Sequence, residues 1–271
     1  MTKKQKVTGI VIFSVLIMLI LAGIFLTSPP NSLKEPINET MRDAVLHEGA
    51  KVRFFGGMAV NPGLISAYCV TALMLFTAIL IRIFAIPKFK ILPNKFQLLL
   101  EQAVGVFDGM AKEKSPHRNR FLSAYIFAAG SYIFIGTLFE LLGVQAVTIS
   151  GTSISLPAPL SDINGALALG IMSYGLILFA GIAVNGFRGF FTALKDFSLP
   201  VSMSFRLFGA LLSGALVTEL VYYYYSLSFV IPVIVGIMFT LLHAVIQAYV
   251  LSMLTAQFYG ESTEKKRGIQ K

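Results

Sequence analysis

Residues 197–258 read FSLPVSMSFRLFGALLSGALVTELVYYYYSLSFVIPVIVGIMFTLLHAVIQAYVLSMLTAQF, and this run is interrupted by charge or imidazole only at Arg206, Glu219 and His243. About twenty apolar residues, at 1.5 Å each, cross a hydrocarbon layer of roughly 30 Å as a helix, so the run holds two crossings. Pro232, with the polar Ser226 and Ser228, divides them into a long terminal hairpin. Working outward, further uncharged runs lie at residues 7–27, 54–81, 121–139 and 163–187. They predict about six transmembrane helices, the first an extra N-terminal one.

Composition agrees with that reading. The 271 residues are 56% hydrophobic and 13% charged, with a mean hydropathy of +0.77, against roughly 25% charge in an ordinary soluble domain. The expected fold class is an all-α integral membrane protein. A net charge of +9 would suggest nucleic acid in a soluble chain, but the basic residues fall mostly between apolar runs, where they set orientation. Nucleic acid is therefore not an expected partner; membrane lipid is. The single cysteine, Cys69, lies within an apolar run, which excludes an intrachain disulfide and a thiolate metal cluster.

The basic residues also set the topology. Lys3, Lys4 and Lys6 precede the first run, which is read as a retained anchor over residues 1–30 because it is longer than a signal peptide's core of about 7–15 residues. A mixed-charge extracytoplasmic segment over 31–61 follows, then a membrane domain over 62–260 and a cytoplasmic tail over 261–271. Arg82, Lys88, Lys90, Lys95, Lys112, Lys114, Arg118 and Arg120 share one connector, which marks it as cytoplasmic. Within it Phe96, Leu99, Leu100, Ala103, Val104 and Phe107 recur at helical spacing, predicting an amphipathic helix on the cytoplasmic side that lies on or dips into the membrane. Both termini are expected in the cytoplasm.

A charge deep in an apolar helix costs roughly 2.5–3.5 kcal/mol at the helix centre, so it marks function by default. Arg206 is the strongest such residue. Gly209, Ala210, Ser213 and Gly214 follow it at i+3, i+4, i+7 and i+8 and form a stripe that permits close helix approach. The competing reading is snorkelling of Arg206 toward the inner interface, since Asp196 lies about ten residues upstream. Ser198, Pro200 and Ser202 already supply a polar entry to the helix, which weighs against it.

Four motifs in order, FELLGVQ, PLSDINGALALG, SFRLFG and HAVIQAYVLSMLT, resemble those of subunit a of the F-type (F1Fo) ATP synthase, in its bacterial form. The resemblance covers roughly residues 60–260. It implies a stator subunit of the Fo motor, with two offset half-channels against a rotating c-subunit ring, so that proton or sodium flow drives rotation and ATP synthesis. It further implies peripheral stalk b subunits as partners and the bacterial inner membrane as location. Arg206 matches the family arginine that separates the half-channels, and Gln247 the glutamine near it. A guanidinium stays protonated and attracts the ring's carboxylate in its ionised form. No glycine loop of the Walker type occurs, so the chain is not expected to bind nucleotide itself, and no cofactor or metal is expected. The alternative class is a self-contained ion channel or secondary transporter with an intramembrane arginine.

The chain departs from the family pattern. Ala215 and Thr240 occupy the positions of the usual outer half-channel pair, while Glu219 and His243 lie about one turn beyond on the same helices. The expectation is that Glu219 and His243 take over, joined by water. Pairing Arg206 with Gln247 in the antiparallel hairpin sets His243 near Ala210 and Glu219 near Ile234. Packing roles compete for both: a helix-packing imidazole at His243, and an interfacial carboxylate beside the tyrosine run at Glu219. Asp162 and Asn164 begin the fourth crossing, as helix caps, as the mouth of the outer half-channel, or both. Glu140 stands where the family has asparagine and is either a further outer half-channel carboxylate or a neutral, hydrogen-bonded acid.

In a Cys69→Ser background, a cysteine at residue 40 should be labelled by an impermeant maleimide only from outside. One at residue 90 should react only from the cytoplasmic face; the reverse pattern would overturn the topology.

Overall fold

The computed structural model describes residues 14–15, 17–18, 22, 36–39, 52–54, 58–147, 153–223 and 231–264. The anchor expected over 1–30 and the segment over 31–61 therefore lie largely outside the described residues, as does the tail beyond Glu264. A short hairpin of β1 (Val52–Phe54) and β2 (Met58–Val60) leads into α1 (Pro62–Leu80). Asn61 caps this helix by accepting from the Gly63 N–H at 3.0 Å, and Pro62 takes the first position, where a missing N–H costs nothing. A π-helical turn (Ile81–Ala85) and a 3-10 turn (Ile86–Lys88) end it. Then come α2 (Lys95–Lys114), α3 (Arg120–Leu141), a hairpin of β3 (Gln145–Val147) and β4 (Ser153–Ser155), and a 3-10 turn (Pro159–Ser161). Next are α4 (Ile163–Leu194) and α5 (Ser198–Tyr223), followed by α6 (Ile231–Val235), a π-helical stretch (Gly236–Leu241) and α7 (Leu242–Thr263).

Five helical stretches among the described residues are long and apolar enough to span a bilayer: Pro62–Lys88, Arg120–Leu141, Ile163–Phe187, Ser198–Tyr223 and Ile231–Thr263. Their large side chains, Leu75, Phe76, Phe179 and Met238 among them, are mostly exposed. That is the expected state where lipid is the solvent, and association then depends on close approach of small residues. Gly130 shows it: a Cβ there would lie 2.6 Å from Phe107 Cε1 and 3.0 Å from Ser252 Oγ, so α2 and α7 both close on α3 at this point. Gly170 gives the Ser204 hydroxyl and the Pro200 carbonyl their place against α4. One core joins Ile133, Leu160, Ala166, Leu207 and Leu251; another, nearer the inner side, joins Ala111, Leu122, Ile126, Ile177, Met203 and Tyr259.

The amphipathic helix forms as α2, with its apolar face divided. Phe107 and Met110 join Ala111 against α3 and α7, whereas Phe96, Leu99, Ala103 and Val104 stay exposed. A helix between protein and lipid satisfies apolar residues on both sides, so periodicity does not say which of them meets protein. Gln97 is buried and clamps the preceding loop, donating to the Lys90 carbonyl at 2.9 Å and accepting from its N–H at 3.1 Å.

The connector after the fourth crossing is not a plain loop. Gly186 adopts φ 58°, ψ −140°, a conformation open essentially to glycine alone. The chain then doubles back: Gly189 lies against the Gly181 carbonyl, and the Tyr174 hydroxyl donates to the Ala193 carbonyl at 3.1 Å. Residues 188–194 thus return along the helix they left. Gly186→Ala should lower the unfolding midpoint in detergent, with a cost of about 1–3 kcal/mol for the strained backbone. Gly175→Ala, where an added Cβ meets nothing within 4 Å, should leave it unchanged or raise it.

Candidate functional site around Arg206

The terminal hairpin fixes the height of Arg206. Ser252 of α7 donates to the Ile126 carbonyl of α3 at 3.3 Å, and His117, just before α3, contacts the Thr263 carbonyl at 2.9 Å, so α3 and α7 run antiparallel side by side. Arg206 lines a small cavity together with Gln247, Val250 and Leu251. Gln247 precedes Ser252 by about a turn and a half and so lies level with Tyr132, roughly 17 Å along α3 from Arg120. That is near the middle of a 22-residue helix. Snorkelling to the inner interface does not describe Arg206, because its Cα starts too deep for the stem to reach that surface.

Gln247 is buried, whereas Arg206 is exposed and, among the described residues, has no ion-pair partner. Ser202, Gly209 and Ser213 are exposed with it at helical spacing. The small-residue stripe therefore divides. Gly209 and Ser213 continue the outward face of Arg206, and Ala210 and Gly214 turn inward toward the last helix.

One to two turns beyond Arg206 along α5, those inward residues line a second cavity of about 10 Å³ with Leu211, Ala215, Phe239, Thr240, His243 and Glu140. It has room for one water at most. The positions that the family pattern assigns to an acid and an imidazole, Ala215 and Thr240, border this space with small side chains. His243 reaches it from one turn along, its ring tilted at 45° to that of Phe239 with centroids 5.8 Å apart, where the π-helical stretch hands over to α7. The acid that reaches it is Glu140, from α3, oriented by a hydrogen bond from the Ala158 N–H. Glu219 is exposed and is not among the lining residues. What the sequence did not show is that Glu140 and His243 border one cavity across helices. The available signal was that two small residues at facing positions leave a space for a third helix to fill.

Asp162 caps α4, its Oδ1 accepting from the Asn164 N–H at 3.0 Å and the Asn164 amide at 3.1 Å. It also wedges against the start of α1, where a Cβ on Gly63 would lie 3.1 Å from its own. Both residues stand at the start of α4, and the cavity of Glu140 and His243 does not include them.

These features define a class: an all-α, multi-pass membrane protein whose final hairpin carries, midway along its helices, a guanidinium with no ion-pair partner among the described residues. Residues 65–260 match the family described as ATP synthase A chain, and the chain belongs to that family. It is similar to the ATP synthase subunit a of two strains of Cereibacter sphaeroides, each 29% identical over 180 residues, covering 62% of this chain and 69% of theirs.

The register of the hairpin can be trapped. A Cβ on Gly214 would lie 3.9 Å from that of Phe239, within the range of about 3.5–4.5 Å that a disulfide requires. Gly214→Cys with Phe239→Cys, in a Cys69→Ser background, should cross-link on mild oxidation. Gly209→Cys with Phe239→Cys should not, since Gly209 meets nothing within 4 Å.

Proposed function

We propose that this chain is the ion-translocating stator subunit of a bacterial ATP synthase Fo motor, a component that binds no nucleotide itself and works against a ring of c subunits. One observation carries the reading: among the described residues Arg206 has no ion-pair partner, midway along its helix on an exposed face smoothed by Gly209 and Ser213. A charge facing hydrocarbon needs a counter-charge from outside the chain. A carboxylate on each ring subunit meets that need in turn. The guanidinium holds it ionised while adjacent, and prevents ions from passing directly between the half-channels on either side. Gln247 keeps Arg206 company from the last helix and donates or accepts without competing in charge.

The outer half-channel in this reading runs from the surface marked by Asp162 and Asn164 to the Glu140 and His243 cavity. From there it is one helical turn to Gln247 and Arg206. His243 suits a relay because an imidazole's unperturbed pKa of about 6.5 lies near working pH, and Glu140 stands ready as its exchange partner. Glu219, further out on α5, draws ions toward the mouth. Peripheral stalk b subunits and lipid complete the surroundings, with the whole in the inner membrane and both termini cytoplasmic.

In inverted vesicles holding the assembled complex, Arg206→Ala should abolish ATP-driven ion pumping, and Arg206→Lys should not restore coupling, because a point charge does not replace a planar fork. Coupled pumping by the alanine variant would overturn the assignment. Pumping by the chain alone, without a ring, would favour a self-contained transporter. Glu140→Gln and His243→Ala should each slow ion-driven synthesis by about tenfold or more without loss of assembly. Glu219→Gln should slow it less; the reverse order would return the outer relay to Glu219.

A further inference from the structure

Away from that site, a continuous groove runs along the membrane-facing side of α2 and α3. Its deep end, about 540 Å³, lies between the inner end of α1 and these two helices, and its walls include Ile81, Ile86, Phe89, Leu100, Val104 and Phe127. Val104, Asp108 and Phe127 also border a second chamber of about 580 Å³, reaching Asn119, Arg120 and Ser123. A third shares Asn119 and Arg120 and ends on Arg118 and His117. Phe127 lies two turns into α3 from Arg120, roughly 10 Å, so the apolar end is the deeper one and the basic end sits at the inner interface.

The charges sort the same way. Asp108 is matched by Lys112 at 2.6 Å. Hydrogen bonds from Lys112 and from Ser123 hold its carboxyl below the usual carboxylate range. Glu101 accepts from the Gln97 amide at 2.7 Å. Lys114 contacts Glu113 at 2.9 Å. Arg118 and Arg120 are exposed and, among the described residues, have no carboxylate within ion-pair distance. The groove thus presents an apolar slot below and two uncommitted guanidinium groups above. We infer that it holds an anionic phospholipid, one acyl chain lying along Ile81, Ile86 and Phe127 and the phosphate at Arg118 and Arg120. A guanidinium matches phosphate oxygens two at a time, and basic pockets at the cytoplasmic ends of membrane helices are suited to such headgroups. A zwitterionic lipid satisfies the slot but brings its own cation to the arginines.

The chain contains no tryptophan, which makes the test direct. Full-length chain carrying Ile86→Trp is reconstituted in phosphatidylcholine vesicles containing brominated phosphatidylglycerol or brominated phosphatidylcholine at equal mole fraction. Quenching should show about a tenfold preference for phosphatidylglycerol, and the preference should vanish when Arg118→Gln and Arg120→Gln are added. Leu75→Trp, exposed on the lipid side of α1 outside the groove, should be quenched by both lipids alike. Equal preference at the two positions would overturn the proposal, as would a preference that survives the glutamines. So would absence of quenching at Ile86→Trp while Leu75→Trp is quenched, since protein would then fill the slot.

Discussion

A guanidinium placed halfway along an apolar helix is stable only if its surroundings are arranged for it, and the arrangement around Arg206 shapes the whole inner half of this molecule. The side chain cannot deprotonate and cannot reach an interface, so it needs a polar neighbour within the chain and an open side toward something that bears negative charge. Gln247 supplies the first, buried behind it on the last helix. The second explains why the residues beside Arg206 on its outward face are as small as Gly209 and Ser213. Bulkier side chains would hold any approaching helix at a distance where the attraction between charges is weak.

Keeping that hairpin in place cannot rely on burial of apolar surface, because lipid offers apolar side chains as good a home as protein does. The structure relies on close contact at small residues and on hydrogen bonds that return buried hydroxyls to the backbone. Buried hydroxyls of Ser66, Thr137, Ser173 and Ser204 each return a bond to the carbonyl one turn earlier, so that burial does not leave them unpaired. The free carbonyls at the end of α7 are met from two sides. The Asn185 amide donates to Ser262 and Glu264, at 2.9 and 3.1 Å, and His117 contacts Thr263. Asn185 is next to the strained Gly186, so the turn that doubles α4 back also anchors the helix carrying Gln247.

Sequence alone settled a good deal. Apolar run lengths determined the helical membrane class, and the isolation of Arg206 among uncharged residues marked it without any coordinates. The cap at Asp162 was equally legible, because it depends on chemistry within two residues. The facing register of the hairpin was legible too, since it follows from one assumed pair and a fixed rise per residue.

Tertiary structure decided which groups meet across helices. Glu219 and His243 share a hairpin and look like partners along the chain, while Glu140, a hundred residues earlier, lines a cavity with His243. The same limit separated Gly209 from Ala210, adjacent in the stripe but on opposite faces in the fold, and divided the apolar face of α2 between protein and lipid. Periodicity records that a side chain is apolar or small. In a membrane both protein and lipid accept such a side chain, so only the packing of α3, α5 and α7 against one another determines which of them it meets.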